Sequence, residues 1–227
     1  MANELYETQS LKLLENSQTE LGNALKWLEG RNSEGIESYC FYTAAHINLV
    51  AEGYIYLRMG HRNEASKHLI RTAIEAFFRL QAVRSKPELL FRIAYTESEE
   101  DKKWARTLRS ENAPIVLQEI DKNWDTFVQI YKEKYPQHSV IENGLPLRDA
   151  AKCAGMEFYY DSHYRLYCRF THAAFRATTG SLRVFEPQDN VTMVIFTLSA
   201  LEALISLGTP SPNIESLKEQ LSALNQD

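Results

Sequence analysis

Apolar residues recur at three- and four-residue spacing along most of the chain, and that period predicts helices. Leu11, Leu14, Leu21, Leu25 and Leu28 mark a first helix over 4–29. The turn Gly30-Arg-Asn-Ser-Glu-Gly35 leads to a second, Tyr- and Ala-rich helix over 36–59, stopped by Gly60. Asn63 is placed to cap a third helix running to about Val83, and the short link implies an antiparallel hairpin. Ile70, Ala73, Ile74, Phe77, Phe78 and Leu80 make the third helix apolar over a wide arc.

Pro87 starts a shorter helix with Leu89, Leu90 and Ile93, and Ser98-Glu99-Glu100-Asp101 reads as the acid-rich first turn of another. Pro114 opens a helix striped by Val116, Ile120, Trp124, Phe127 and Tyr131. Pro136 to Pro146 is the clearest loop. Residues 147–177 read as one long helix with a kink at Gly155, in a region that Gly180 ends. Pro187 opens an apolar helix to Leu207, and Pro210 and Pro212 precede an amphipathic tail helix. No alternating run marks a strand. One stretch, Gly53-Tyr-Ile-Tyr-Leu to Ala65, looks like a single tetratricopeptide unit, but it does not recur and no solenoid follows. The fold class expected is all-α: a single-domain antiparallel bundle of about seven to nine helices over 1–227, with its core at 36–207 and helices 4–29 and 212–226 packed on as extensions.

Composition supports this. Hydrophobic residues make up 44%, and Gly and Pro number 9 and 7 where average usage would give roughly 27 together, so turn-rich β folds are disfavoured. The formal charge of −5 argues against a whole-surface attraction to nucleic acid or anionic membrane. Cys40, Cys153 and Cys168 are odd in number and far apart, which suits reduced thiols rather than a disulfide framework or a zinc knuckle. The start Met-Ala-Asn-Glu-Leu-Tyr has neither a basic start nor an apolar run, and Glu202 interrupts the apolar stretch Val191 to Leu207. A cytoplasmic chain without a membrane segment is expected.

The chemistry concentrates between Ser162 and Arg183. Arg165, Arg169, His172 and Arg176 fall at i, i+4, i+7 and i+11, one narrow face of a helix. Like charges in a row need an anionic partner. One reading is a site for RNA or nucleotide phosphate, with arginines on the phosphate and His172 moving protons. The other is pairing with acids on neighbouring helices, as in an interaction or scaffold protein. Arg71 and Glu75, one turn apart at the edge of the third helix's apolar arc, form either a structural ion pair or a device that orients His172 or an arginine of the stripe. Tyr159, Tyr160, Tyr164 and Tyr167 are spaced for packing, with base stacking as the alternative. His46 reads as a core histidine. No P-loop, dinucleotide fingerprint, His-Glu-x-x-His or Gly-x-Ser-x-Gly occurs, so no cofactor and no metal are expected.

Two segments carry a resemblance: Ile70-Arg71-Thr-Ala-Ile-Glu75-Ala-Phe-Phe-Arg-Leu80 and Tyr164-Arg165-Leu-Tyr-Cys-Arg-Phe-Thr-His172. Together they resemble an uncharacterised bacterial all-helical family with an Arg-x3-Glu helix followed by a Tyr-Arg…Thr-His helix, over about residues 40–205. The arrangement is also similar to the HEPN superfamily, whose signature is an Arg, four to six residues, then a His. That likeness implies a metal-independent ribonuclease of toxin or defence type. It makes Arg165 the phosphate stabiliser and His172 the catalytic or phosphate-binding partner; the helical projection adds Glu75 as the orienting acid, with Arg71, Arg169, Arg176 and Tyr164 around the substrate. It also implies a homodimer. Leu166 departs from the polar residue that active members carry after the Arg.

Overall fold

A computed structural model describes residues 2–31, 34–108, 113–171 and 186–225. Helices dominate and no strand occurs among these residues. In chain order they are α1 Ala2–Leu28, α2 Ile36–Met59, α3 Asn63–Ser85, α4 Leu89–Thr107, α5 Ala113–Lys134 and α6 Leu147–Cys153. Then come α7 Glu157–Tyr159, a π-helical turn Tyr160–Tyr164, α8 Arg165–Thr171, α9 Glu186–Ser206 and α10 Ile214–Leu224. The all-α expectation holds.

The main core gathers where α9 packs against α1, α2 and α3. Leu14, Leu21, Ile47, Ile70, Val194 and Leu201 are fully enclosed, and the Phe77 and Phe196 rings meet at 4.6 Å. Burying one such ring stabilises the fold by about 1.5–3 kcal/mol. The α9 segment Gln188–Ser206 is long and apolar enough to span a bilayer, yet 72% of its apolar window is buried against the other helices. A second cluster joins the end of α3 to the α4–α5 pair through Val83, Leu90, Phe91, Ile93 and Tyr131. Phe91 meets Trp124, Phe127 and Tyr131 at 5.2, 5.9 and 5.3 Å. The loop after α5 is pinned to α4: Arg92 donates to the carbonyls of Asn143 and Gly144, and the Leu145 N–H donates to Thr96 Oγ1.

Several boundaries differ from expectation. Ser98 to Asp101 start no helix; they lie inside α4, because extending a helix across a segment free of breakers costs less than nucleating a new one. Lys102 pairs with Glu99 of that acid cluster at 3.2 Å and with Asp121 of α5 at 2.9 Å. Asn63 is the first helical residue, and Arg62 stands at the N-cap without a side-chain cap bond. His46 is exposed, not a core residue. Gly60 ends α2 with an ordinary negative φ, while His61 takes the left-handed conformation at φ 56°. The Arg62 N–H donates to Leu57 O at 2.7 Å, closing a Schellman-type end around His61. A left-handed non-glycine residue costs about 1–2 kcal/mol. Glycine there costs unfolded-state entropy in return, so His61→Gly is expected to stabilise by about 0.5–1 kcal/mol, read as a raised urea midpoint.

Candidate functional site

The long helix expected over 147–177 is broken, and the break builds the site. Gly155 sits at φ 69°, a conformation that glycine adopts without steric cost, and the Met156 N–H donates to Ala151 O at 2.7 Å. That terminates α6. The chain restarts at Glu157 and widens into the π-turn Tyr160–Tyr164 before α8 begins at Arg165. Such wide turns frequently mark functional sites.

The wide turn brings Tyr164 to α3. Its hydroxyl donates to Glu75 Oε1 at 3.0 Å, and Arg71 Nε donates to the same oxygen at 3.0 Å. The Arg71 guanidinium carbon lies 5.8 Å from the Tyr164 ring centroid. Both charged side chains are half-buried, with 24% and 34% of their surfaces exposed, as their place at the edge of the apolar arc implies. Burial and then the Glu75 carboxylate push the Tyr164 hydroxyl pKa well up. Burial pulls the Arg71 pKa down, but the Tyr164 and Glu75 interactions outweigh it, leaving it above its ordinary value. Tyr160 stacks on Tyr164 at 5.0 Å and touches Phe78 at 6.3 Å. The tyrosines therefore pack, and Arg71 and Glu75 clamp the π-turn to α3.

A cleft of about 780 Å³ opens beside this turn, with Asp161, His163, Arg165 and Cys168 among its lining. Arg165 stands 71% exposed, and its Nη1 is 3.9 Å from Asp161 Oδ1. Arg148 of α6 reaches the other oxygen of that carboxylate, also at 3.9 Å. At these distances and exposures the pairs are worth little, so both guanidiniums can trade Asp161 for an anionic ligand. His163 is more constrained. Ser162 Oγ donates to Phe158 O at 2.6 Å, which uses its one proton. The 2.8 Å contact between Ser162 Oγ and His163 Nδ1 is then donated by Nδ1–H. That leaves Nε2 as the acceptor of a neutral ring. Burial lowers the His163 pKa from the ordinary 6.5, which favours that neutral form.

Of the residues expected from sequence, the structure unites Arg71, Glu75 and Tyr164. Arg165 lines the adjoining cleft, with Asp161 as its acidic neighbour rather than Glu75. Arg169 falls in α8, and His172 and Arg176 lie outside the described residues. Sequence reasoning gave no role to Asp161, Ser162 or His163.

It also overlooked a buried polar network behind the cleft. The Tyr167 hydroxyl makes a short hydrogen bond to Asp189 Oδ1. Tyr54 donates to Asn190 Oδ1 at 2.8 Å, and Asn190 Nδ2 donates to Ser10 Oγ at 3.0 Å. Tyr54, Asp189, Asn190 and Lys67 are all fully buried, and Tyr167 nearly so. The available signals were Asp189-Asn190 heading an apolar helix and Lys67 one turn before Ile70 on the apolar face of α3.

Searches among curated proteins and among solved structures gave no match. A family model does match: it is described as "Family of unknown function (DUF5677)" and covers residues 37–190. That span begins at the start of α2, ends at Asn190, and includes Arg71, Glu75, His163, Tyr164, Arg165, Tyr167 and Asp189. It takes in 154 of the 227 residues, and the chain belongs to this family of unknown function, DUF5677.

Proposed function

We propose that the cleft beside the π-turn holds RNA by its phosphates and cleaves it without a metal ion. The observation that carries this reading is the pairing of an exposed Arg165 with a His163 whose Nε2 has no partner among the described residues, two residues apart on the lining of one cleft. His163 Nε2 takes the proton of a 2′-hydroxyl, the 2′-oxygen bonds to phosphorus, and the bond from phosphorus to the 5′-oxygen breaks. Arg165 stabilises the charge that builds on the phosphoryl oxygens, with Arg148 in reserve on the other side of Asp161. His172, on the Arg-x6-His spacing that resembles HEPN domains, gives a proton to the leaving oxygen. Arg71, Glu75 and Tyr164 act as positioning residues that fix the turn carrying His163.

The test is cleavage of single-stranded RNA in EDTA, alongside binding measured across salt concentrations. Wild type is expected to cleave. Arg165→Ala is expected to bind more weakly and to lower the log–log salt slope by about one, the signature of one lost phosphate contact. Wild type that neither binds nor cleaves RNA removes this reading and leaves a helical interaction module.

A further inference from the structure

The exposed face of α2 carries an unpartnered apolar stripe. One side of the helix is fully buried through Ala44, Ile47, Ala51 and Tyr54. The opposite side shows Tyr42, Leu49, Tyr56 and Met59 at 68%, 64%, 79% and 63% exposure. Tyr42, Leu49 and Tyr56 are spaced by seven, and with Met59 the stripe runs about 25 Å along the helix axis. An apolar stripe of this length marks an interaction surface.

Between Tyr42 and Tyr56 the exposed positions pair off about Leu49. Three residues before it stands His46 and three after it Glu52, both exposed. Seven before and seven after stand Tyr42 and Tyr56. A two-fold axis through Leu49, perpendicular to the helix, sets each residue against its mirror position on a second, antiparallel α2. Leu49 then meets Leu49 of the second copy, and Tyr42 meets Tyr56. His46 meets Glu52 on both sides of the centre, setting a ring nitrogen against a carboxylate.

We propose that the chain self-associates through α2, antiparallel, with Leu49 on the two-fold axis. This does not depend on the RNA reading, and its test reads mass rather than cleavage. Light scattering on the eluting protein is expected to give about 52 kDa at high concentration, twice the chain mass of 26.2 kDa. Leu49→Glu, an exposed position, sets two carboxylates face to face and is expected to weaken association at least about tenfold with unchanged helical circular dichroism. His46→Glu and Glu52→Lys, each alone, are also expected to weaken it. Both in one chain, or the two single variants mixed, restore the opposite charges and recover the dimer. Leu49→Cys is expected to cross-link copies on mild oxidation, and His46→Cys alone is not. A chain that stays monomeric, or a dimer indifferent to Leu49→Glu and to the charge swap, overturns the proposal.

Discussion

Replacing Tyr167 with Phe is expected to destabilise the fold by about 2 kcal/mol, seen as a lower urea midpoint with an unchanged slope. The ring shape is kept, so no cavity opens and the whole effect belongs to the hydroxyl. That hydroxyl is nearly inaccessible to water and donates to Asp189 Oδ1, which is fully buried. Phenylalanine removes this hydrogen bond at a site that water does not easily reach. Tyr164→Phe removes a hydroxyl whose acceptor, Glu75, is one-third exposed, and its expected cost is smaller. A Tyr167→Phe midpoint equal to wild type would show that the hydroxyl does not hold α8 to α9. The same contact sets an alkaline limit. Burial, and then the Asp189 charge, raise the Tyr167 pKa far above its ordinary 10.0. Below pH 10 both folded and unfolded chains keep the proton and the contribution is complete. Above it the unfolded chain ionises first, so stability falls as pH rises toward the folded value.

If the cleft cleaves RNA, His163→Ala is expected to lower the rate about 100-fold, or about 2.7 kcal/mol in barrier height, the usual worth of one general base. The variant must be compared under saturating RNA, because the loss belongs to the proton transfer and not to binding. Wild-type activity is expected to fall on the acid side with a midpoint below pH 6.5. Burial lowers the His163 pKa, and only the neutral ring can accept the proton. A wild-type rate retained by His163→Ala, with loss in His172→Ala alone, would transfer the base role to His172.

Helix positions were legible in the sequence where periodicity and breakers agreed. The α2 range, Ile36 to Met59, matches its expected span because Gly35 and Gly60 flank an unbroken pattern. A separate helix start was read at Ser98, inside α4, because an N-terminal signature also fits mid-helix when nothing upstream stops the helix. Arg71 and Glu75 were legible as a half-buried pair because helical projection fixes where they stand. Their partner was not: which residue reaches Glu75 depends on the π-turn, and no residue pattern announces a turn widened by one residue. His163 was given no role because that role comes from a serine next to it and a carbonyl a turn earlier, neither of which periodicity ranks. Asp189 and Lys67 were hidden by their surroundings, since an apolar run averages away the one polar side chain it encloses.

The π-turn also acts as a phase shifter. An α-helix advances about 100° per residue, so the surplus residue held between Tyr160 and Tyr164 resets the angular setting of everything downstream. Tyr164 faces the Glu75 side of the bundle and Tyr167 faces Asp189 only because of that offset. Deleting one residue there would leave composition, helix content and apolar fraction nearly untouched. It would nevertheless swing Arg165 out of the cleft and Tyr167 out of the core together, so the two sides of α8 can vary in residue type but not in count.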